Sequence, residues 1–161
     1  MPIIDSKTGK VVKDYNLRQL LEIAKDIRAL SITAIIVAGS GYTGGVMSVA
    51  DIAVALYFKV VSHDPSDPEW EDRDRIYWSA GHKAPALYAC LGLSGYYGPD
   101  NVVKLRKLFS GFEGHPNKFK LPGIEAIPGI GTWSGHRFSP KCQVGGQKLY
   151  NLLHYGGWGI K

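Results

Sequence analysis

The sequence predicts an α/β fold in which a parallel sheet is flanked by helices, and three features predict it. Apolar residues recur at helical spacing from Leu17 to about Val37; the β-branched and aromatic run Arg75-Ile-Tyr-Trp-Ser79 has strand character; and a further helical stretch, Ala84 to Leu93, follows directly. Helix, strand and helix in alternation mark this architecture. A length of 161 residues holds one domain with a real core and is short for two.

In the first helix Leu17, Leu20, Leu21, Ala24, Ile27 and Leu30 form one stripe, with Arg18, Glu22, Lys25 and Arg28 between them. It stops at Gly39-Ser-Gly-Tyr-Thr-Gly-Gly45, whose glycines predict a tight loop. A second helix is expected from Val46 to Val61, apolar on most sides as for a helix covered by neighbours, with Ser48 or Asp51 aiding its first turn. His63 to Asp74, with two prolines and six acidic residues, reads as a surface connector. After the strand and the helix from Ala84, Asp100 or Asn101 is placed to cap another helix running through Phe109, and Gly111 to Pro122 is loop.

Composition excludes several classes. With 45% hydrophobic and 20% charged residues the chain belongs with folded proteins rather than disordered ones. Its longest apolar stretches, Ile32–Ala38 and Val46–Val61, are interrupted by polar residues and fall short of the roughly 20 apolar residues of a membrane span. The start Met1-Pro-Ile-Ile-Asp-Ser-Lys7 has neither the basic nor the apolar region of a secretory signal, so a cytoplasmic home is expected. Two cysteines, Cys90 and Cys142, are too few for a disulfide framework and form no CxxC pair; Cys90 is expected in the core. The net charge of +5 does not indicate nucleic acid, because residues 1–126 carry 15 basic and 14 acidic side chains while residues 127–161 carry four basic and none acidic. No basic stripe with interleaved aromatics lies in the first 126 residues.

The chemistry-bearing candidates sit on turns. In open α/β sheets ligands bind beyond the carboxyl ends of strands, where glycine-rich turns and helix N-termini point N–H groups at anions. Gly81-His82 occupies such a position. There an imidazole can hydrogen-bond a phosphate oxygen or exchange a proton. His115, between Gly114 and Pro116, can meet the same hollow from another side. Taken alone, a Gly-His pair reads more readily as a turn with a satisfied hydrogen bond.

Three ordered blocks change that balance. Gly39-Ser-Gly-Tyr-Thr-Gly-Gly-Val-Met-Ser-Val-Ala-Asp-Ile-Ala-Val-Ala-Leu-Tyr-Phe58 resembles the transketolase segment G-S-G-H-P-G-G-S-L-S-A-A-D-I-L-A-x-L-Y-F. Asp72-Arg-Asp-Arg-Ile-Tyr-Trp-Ser-Ala-Gly-His-Lys-Ala-Pro-Ala-Leu-Tyr88 resembles D-R-D-R-x-x-x-S-x-G-H-x-x-P-A-L-Y, and Glu113-Gly-His-Pro-Asn117 followed by Leu121-Pro-Gly-Ile-Glu125 resembles Q-G-H-P-x and P-G-V-E. The likeness covers about residues 15–126. It implies the N-terminal part of a thiamine-diphosphate-binding fold, from an enzyme that moves a two-carbon ketol unit between sugar phosphates. The cofactors implied are thiamine diphosphate and magnesium.

By that resemblance His82 and His115 are the catalytic candidates: His82 near the diphosphate and donor oxygens, His115 near the reacting carbonyl, both stabilising developing negative charge. Ser79, Gly81 and Gly114 join His82 on the cofactor, and Ser40 and Tyr42 join His115 on the substrate. Asp72, Arg73 and Asp74 match the family too, although a structural ion-pair network reads equally well for them. Tyr42-Thr43 replaces the family's His-Pro. A phenol, with a pKa of about 10, donates a hydrogen bond but is a poor proton acceptor at neutral pH, so a different substrate preference is expected. A deoxyxylulose-phosphate synthase is the second enzyme reading, and a truncated non-catalytic fragment the third.

The tail departs from the family. After residue 126 the expected S-x-G-x-L-G-x-G-L and G-D-G motifs are absent, and residues 127–161 contain eight glycines, two tryptophans and no acid. A shift of one nucleotide offers one explanation, and a natural, divergent C-terminal segment is the other: if Ile130–Gly135 is encoded ATT GGG ACA TGG TCT GGG, reading from the second base gives L-G-H-G-L. CAT TAT GGG GGA TGG GGA for His154–Gly159 likewise gives I-M-G-D-G. Codon degeneracy permits these readings and compels only the glycines arising from Trp133 and Trp158. The expectation is therefore a domain over residues 1–126 with an out-of-frame tail over 127–161 that lacks the magnesium aspartate, inactive alone. The resemblance also implies a split enzyme with a separate pyrimidine-binding partner chain, assembled as a homodimer or heterotetramer, and no nucleic-acid or membrane partner.

Overall fold

The computed structural model describes residues 3–78 and 80–125, and the backbone of residues 149–152. Its first long element is helix α1, Leu17–Ala38. Asn16 caps it reciprocally: the Asn16 side chain accepts from the Gln19 N–H at 3.0 Å, and Gln19 Oε1 accepts from the Asn16 N–H at 2.9 Å. Gly39, at φ 66°, ends the helix in the left-handed conformation that glycine adopts without strain. The buried stripe is Ala24, Ile27, Ser31, Ala34 and Ile35. Leu17 and Leu21, expected in that stripe, are exposed, whereas the helix packs against Thr43–Ala55, Ala84–Ser94 and Pro99–Lys104 through the buried stripe.

Helix α2 spans Thr43–Ala55, beginning three residues before the expected Val46 and taking Gly44 and Gly45 into its first turn. Gly45 serves close approach there: a Cβ on it would lie 3.3 Å from Lys83 Cε and Cγ and 3.7 Å from His82 Cδ2. Neither Ser48 nor Asp51 supports the first turn. Ser48 donates its hydroxyl to the Gly45 carbonyl, and Asp51 pairs with Arg28 of α1. The residue ahead of the helix is Tyr42, which forms no side-chain cap. A π-helical turn, Leu56–Val60, continues α2 and buries Tyr57 and Phe58. By length and composition the run Thr43–Val60 could cross a membrane, which the sequence reading had not credited. It instead lays Val46, Val49, Ala50, Ala53, Val54, Tyr57 and Phe58 into the core.

The connector that follows is more than surface. His63, Asp64 and Arg73 are buried within it. A short antiparallel pair not foreseen from the sequence, β1 (Ile3–Ile4) with β2 (Val11–Lys13), is tied to it through the Ile4 N–H, which donates to the His63 carbonyl at 3.0 Å. The Ser6 N–H donates to Asp64 Oδ2 at 2.8 Å. The His63 imidazole stacks on Tyr96 and bonds through Nε2 to the Tyr57 carbonyl at 2.8 Å; burial lowers its pKa and favours the neutral ring. Burial raises the Asp64 pKa, but donors from Ser6 and Ser66 outweigh it and bring the carboxyl down to about 2.

Acid should therefore weaken the fold in two stages. A histidine held neutral loses stability as pH falls below its ordinary 6.5, because the unfolded ring then binds the proton that the folded ring refuses. The depressed Asp64 carboxyl contributes fully above 3.8 and is lost as pH falls toward about 2. Denaturant titrations across this range should show that Asp64→Asn reduces the lower stage and leaves the upper.

Strand β3, Arg75–Trp78, runs parallel to β4, Leu149–Leu152, with Arg75 opposite Leu149 and Trp78 opposite Leu152. This is the parallel pairing among the described residues, so the sheet seen is smaller than the one expected. Of the tail expected to be aberrant, β4 alone is described; residues 126–148 and 153–161, with Cys142, lie outside the described residues. A 3-10 turn, Gly81–Lys83, leads from β3 into α3, Ala84–Ser94, which has Pro85 in its first turn and is buried on nearly all sides. Cys90 lies in that helix, and burial pushes its thiol pKa up, as suits a core residue.

The helix expected from Asp100 through Phe109 is instead a 3-10 segment, Pro99–Lys104. The chain then reverses: Arg106 and Phe109 take positive φ, and the Arg106 N–H donates to the Phe112 carbonyl at 2.7 Å, a bond made outside any helix. Residues 111–122 form the expected loop, closed by Gly123 at φ 75°. A Cβ on Gly123 would lie 2.8 Å from Tyr96 Cε1 and 3.0 Å from Leu91 Cδ2. Gly123→Ala combines left-handed strain with overpacking and is expected to cost about 2–4 kcal/mol in denaturant unfolding.

Candidate functional site

The site is built where β3 ends. Its carboxyl end delivers Ala80 and the 3-10 turn Gly81–Lys83, so His82 stands half-buried just beyond the strand and just before α3. His115, exposed on the 111–122 loop, reaches the same place. A Cβ on Gly81 would lie 2.2 Å from His115 Cδ2 and 3.1 Å from Cγ and Nε2. Only hydrogen fits between them, which sets the His115 ring against the backbone one residue ahead of His82. Tyr42, in the loop before α2, presents its ring edge-on to His82, with centroids 5.8 Å apart and planes at 80°. Gly45 approaches His82 and Lys83 from the first turn of α2.

Tyr42, Gly81, His82 and His115 thus come together. Ser40 and Gly114 lie to one side, joined by a residue that the sequence reading missed. Arg106 Nη1 donates to Ser40 Oγ at 2.6 Å, and a Cβ on Gly114 would lie 2.9 Å from Arg106 Nε. Nothing local distinguished Arg106 from its neighbours in Lys104-Leu-Arg-Lys107, since its position depends on a contact with the distant Ser40. Lys83, folded over Gly45, was missed for the same reason. Ser79 lies outside the described residues.

Asp72, Arg73 and Asp74 stand apart from this cluster. Arg73 pairs with Glu125 and donates from Nε to the Pro68 carbonyl at 2.7 Å, while Arg75 Nη1 approaches the same Glu125 oxygen at 3.4 Å. Asp74 exchanges hydrogen bonds with Ser62, Oδ2 accepting from the Ser62 N–H and the Asp74 N–H donating to the Ser62 carbonyl. For Arg73 and Asp74 these are contacts of a structural network.

Chemically, the cluster offers two imidazoles, a phenol and nearby cations around a glycine that lets rings approach the backbone. That set suits an anionic, oxygen-rich ligand. Among the described residues no group of three His, Cys, Asp or Glu side chains is placed to hold a metal ion.

Residues 20–132 match the family described as transketolase, thiamine diphosphate binding domain. A transketolase 2 of Vibrio parahaemolyticus is 44% identical over 108 residues, covering 66% of this chain and 16% of that protein. Transketolase 2 of Escherichia coli is 42% identical over 109 residues, covering 67% and 16%. Among solved structures, transketolase from Leishmania mexicana superposes with a TM-score of 0.65 at 31% identity, covering 73% of this chain and 17% of that one. A Pichia stipitis transketolase in complex with sedoheptulose 7-phosphate gives 0.63 at 34% identity, covering 69% and 16%. The chain therefore spans about one sixth of the length of these relatives. With 113 consecutive positions matching the family, more than half of its length, the chain belongs to the transketolase thiamine diphosphate binding domain family.

Proposed function

We propose that this chain is the N-terminal portion of the diphosphate-binding half of a ketol-transferring enzyme acting on sugar phosphates. The observation that carries the reading is the seating of His115 on Gly81 beside His82, with Tyr42 opposed. The close approach at Gly81 and the donors around it fit the polar end of thiamine diphosphate, and the Pichia stipitis relative solved with sedoheptulose 7-phosphate supports a sugar phosphate as the second ligand. Bound here, the cofactor supplies carbanion chemistry. In this reading His82 orients diphosphate and donor oxygens, His115 hydrogen-bonds the substrate near its carbonyl, and Ser79, Gly81 and Gly114 line the cofactor side. Ser40 and Tyr42 line the substrate side, where the phenol of Tyr42 donates without serving as a base.

In this proposal a pyrimidine-binding half completes the site, and the assembly is a homodimer or heterotetramer. Magnesium would then be held by the aspartate of a G-D-G motif that the codons of residues 154–159 can carry one nucleotide out of frame. Without that ligand the anionic diphosphate is held weakly, and the chain alone transfers no ketol unit. Sequencing the gene from the codon of Glu125 onward tests the frame directly.

Calorimetric titration tests the function. With magnesium present, thiamine diphosphate should bind weakly to the chain and thiamine not at all. The frame-restored chain should bind the diphosphate at least tenfold more tightly and, with its partner, transfer ketol units. No binding and no transfer by that restored pair would overturn the proposal, whereas turnover of pyruvate with glyceraldehyde phosphate would replace it with deoxyxylulose-phosphate synthase chemistry.

A further inference from the structure

Helix α3 begins directly behind the turn Gly81–Lys83 that holds His82, and it is buried on nearly every side. Tyr88 lies four residues into it, about 6 Å along its axis, with its ring buried. The Tyr88 hydroxyl donates to the Glu113 carbonyl at 2.8 Å, and Glu113 stands two residues ahead of His115. The same ring meets Phe112 edge-on with centroids 5.3 Å apart, and Tyr97 meets Phe112 in the same manner at 5.2 Å. Beyond His115, Asn117 Nδ2 donates to Glu113 Oε2 at 3.1 Å. Residue 113 is thus held through its carbonyl by α3 and through its side chain by the far side of His115. Burial, with the Glu113 charge adding to it, pushes the Tyr88 phenol well above its ordinary 10, so it stays a donor through neutral and alkaline pH. His115 is exposed, and its own burial contributes little to fixing the ring; a carbonyl pinned to a buried helix fixes the backbone from which that ring projects.

We propose that Tyr88 is the positioning residue for His115: α3 sets His82 at its N-terminal end and, through the Tyr88 hydroxyl on the Glu113 carbonyl, sets the His115 ring on Gly81. One rigid element then fixes the spacing of both imidazoles. The inference rests on the functional reading above and deepens it, because Tyr88 acts through His115 and touches no ligand itself. A hydrogen bond in this buried setting is not replaced by water when it is lost, and the Glu113 carbonyl would be left without its partner on α3.

Nuclear Overhauser spectroscopy of the full chain tests the placement. The parent should show a strong cross-peak between His115 Hδ2 and the Gly81 α protons, which face each other in the structure. Tyr88→Phe keeps the ring and removes only the hydroxyl, and most of that cross-peak should be lost. Tyr97→Phe is the control: its hydroxyl donates to the Tyr88 carbonyl at 2.9 Å, so it gives up a comparable phenol hydrogen bond, yet the cross-peak should stay unchanged. In the frame-restored pair Tyr88→Phe should lower kcat about tenfold with KM moving less than about threefold, because a displaced donor costs most in the transition state. Replacing Tyr88 by 4-aminophenylalanine, which returns a donor to the same place, should recover both readings. If Tyr88→Phe does not fold, the parent chain decides: its Tyr88 hydroxyl proton should exchange slowly enough to be seen and to contact the Gly114 α protons, and a rapidly exchanging hydroxyl would overturn the proposal. An undiminished cross-peak in folded Tyr88→Phe, or an equal loss in Tyr97→Phe, would overturn it as well. The functional reading falls separately, when the cross-peak responds as expected but the restored pair neither binds thiamine diphosphate nor transfers ketol units.

Discussion

Arg73→Met is expected to lower the unfolding free energy by about 3–5 kcal/mol. Arg73 and Glu125 are nearly excluded from solvent, with side-chain exposures of 7% and 11%. Two charges so placed have given up hydration, and each depends on the other to offset that loss. Removing the guanidinium leaves the Glu125 carboxylate with Arg75 as its charged partner among the described residues, at 3.4 Å and on the wetter side of the site. At roughly 2–4 °C per kcal/mol for a chain of this size, the melting temperature should fall by on the order of 10 °C. The double variant Arg73→Met with Glu125→Leu should recover most of the loss, since it strands no charge. Thermal and denaturant unfolding of the three proteins checks this, and a double variant as unstable as the single one would show that the pair does more than satisfy its own burial. The result also bears on the site, because this pair ties the end of the 111–122 loop region to the start of β3, the two segments that carry His115 and His82.

Gly81→Ala is expected to separate function from stability. The new methyl would fall 2.2 Å from the His115 imidazole, so one of them must move. His115 is an exposed side chain on a loop and can swing into solvent, so the stability change should stay below about 1 kcal/mol, as for a surface substitution. The two imidazoles would then no longer share a hollow. If the proposed function holds, ketol transfer by the frame-restored pair should fall by about two orders of magnitude, the usual scale for losing a positioned catalytic donor. His115→Ala should fall by a similar factor, and the double variant should be little worse than either, because both substitutions remove the same placement. Steady-state rates with unfolding controls check this; fully additive losses would show that Gly81 and His115 act independently.

Much of the fold was legible before any coordinates. The stretch from Leu17 declared itself by its period, the strand by its β-branched run, α3 by its apolar content, and the loop from Gly111 by its turn residues. Each signal lies within one or two turns of the chain. The misses share the opposite property. The glycines at 44 and 45 read as loop because they suit turns, yet the helix takes both in, and Gly45 there lets His82 and Lys83 approach. Asp100 promised a cap, but Leu105 is pulled into the core and the chain turns back at Arg106. The acidic connector looked like surface, while Asp64 and Arg73 are buried by partners at Ser6 and Glu125.

The same division holds for the site. The order and residue types of three motifs were enough, by themselves, to name the family and to select Ser40, Tyr42, Ser79, Gly81, His82, Gly114 and His115. Only the tertiary structure decided which described members of that set touch. It set the His115 ring on Gly81, turned Tyr42 toward His82, and brought Arg106 between Ser40 and Gly114. The physical reason is range: a periodicity or a turn preference is an energy between near neighbours and is written in local sequence, whereas contact between segments thirty or more positions apart is set by how the helices pack around β3.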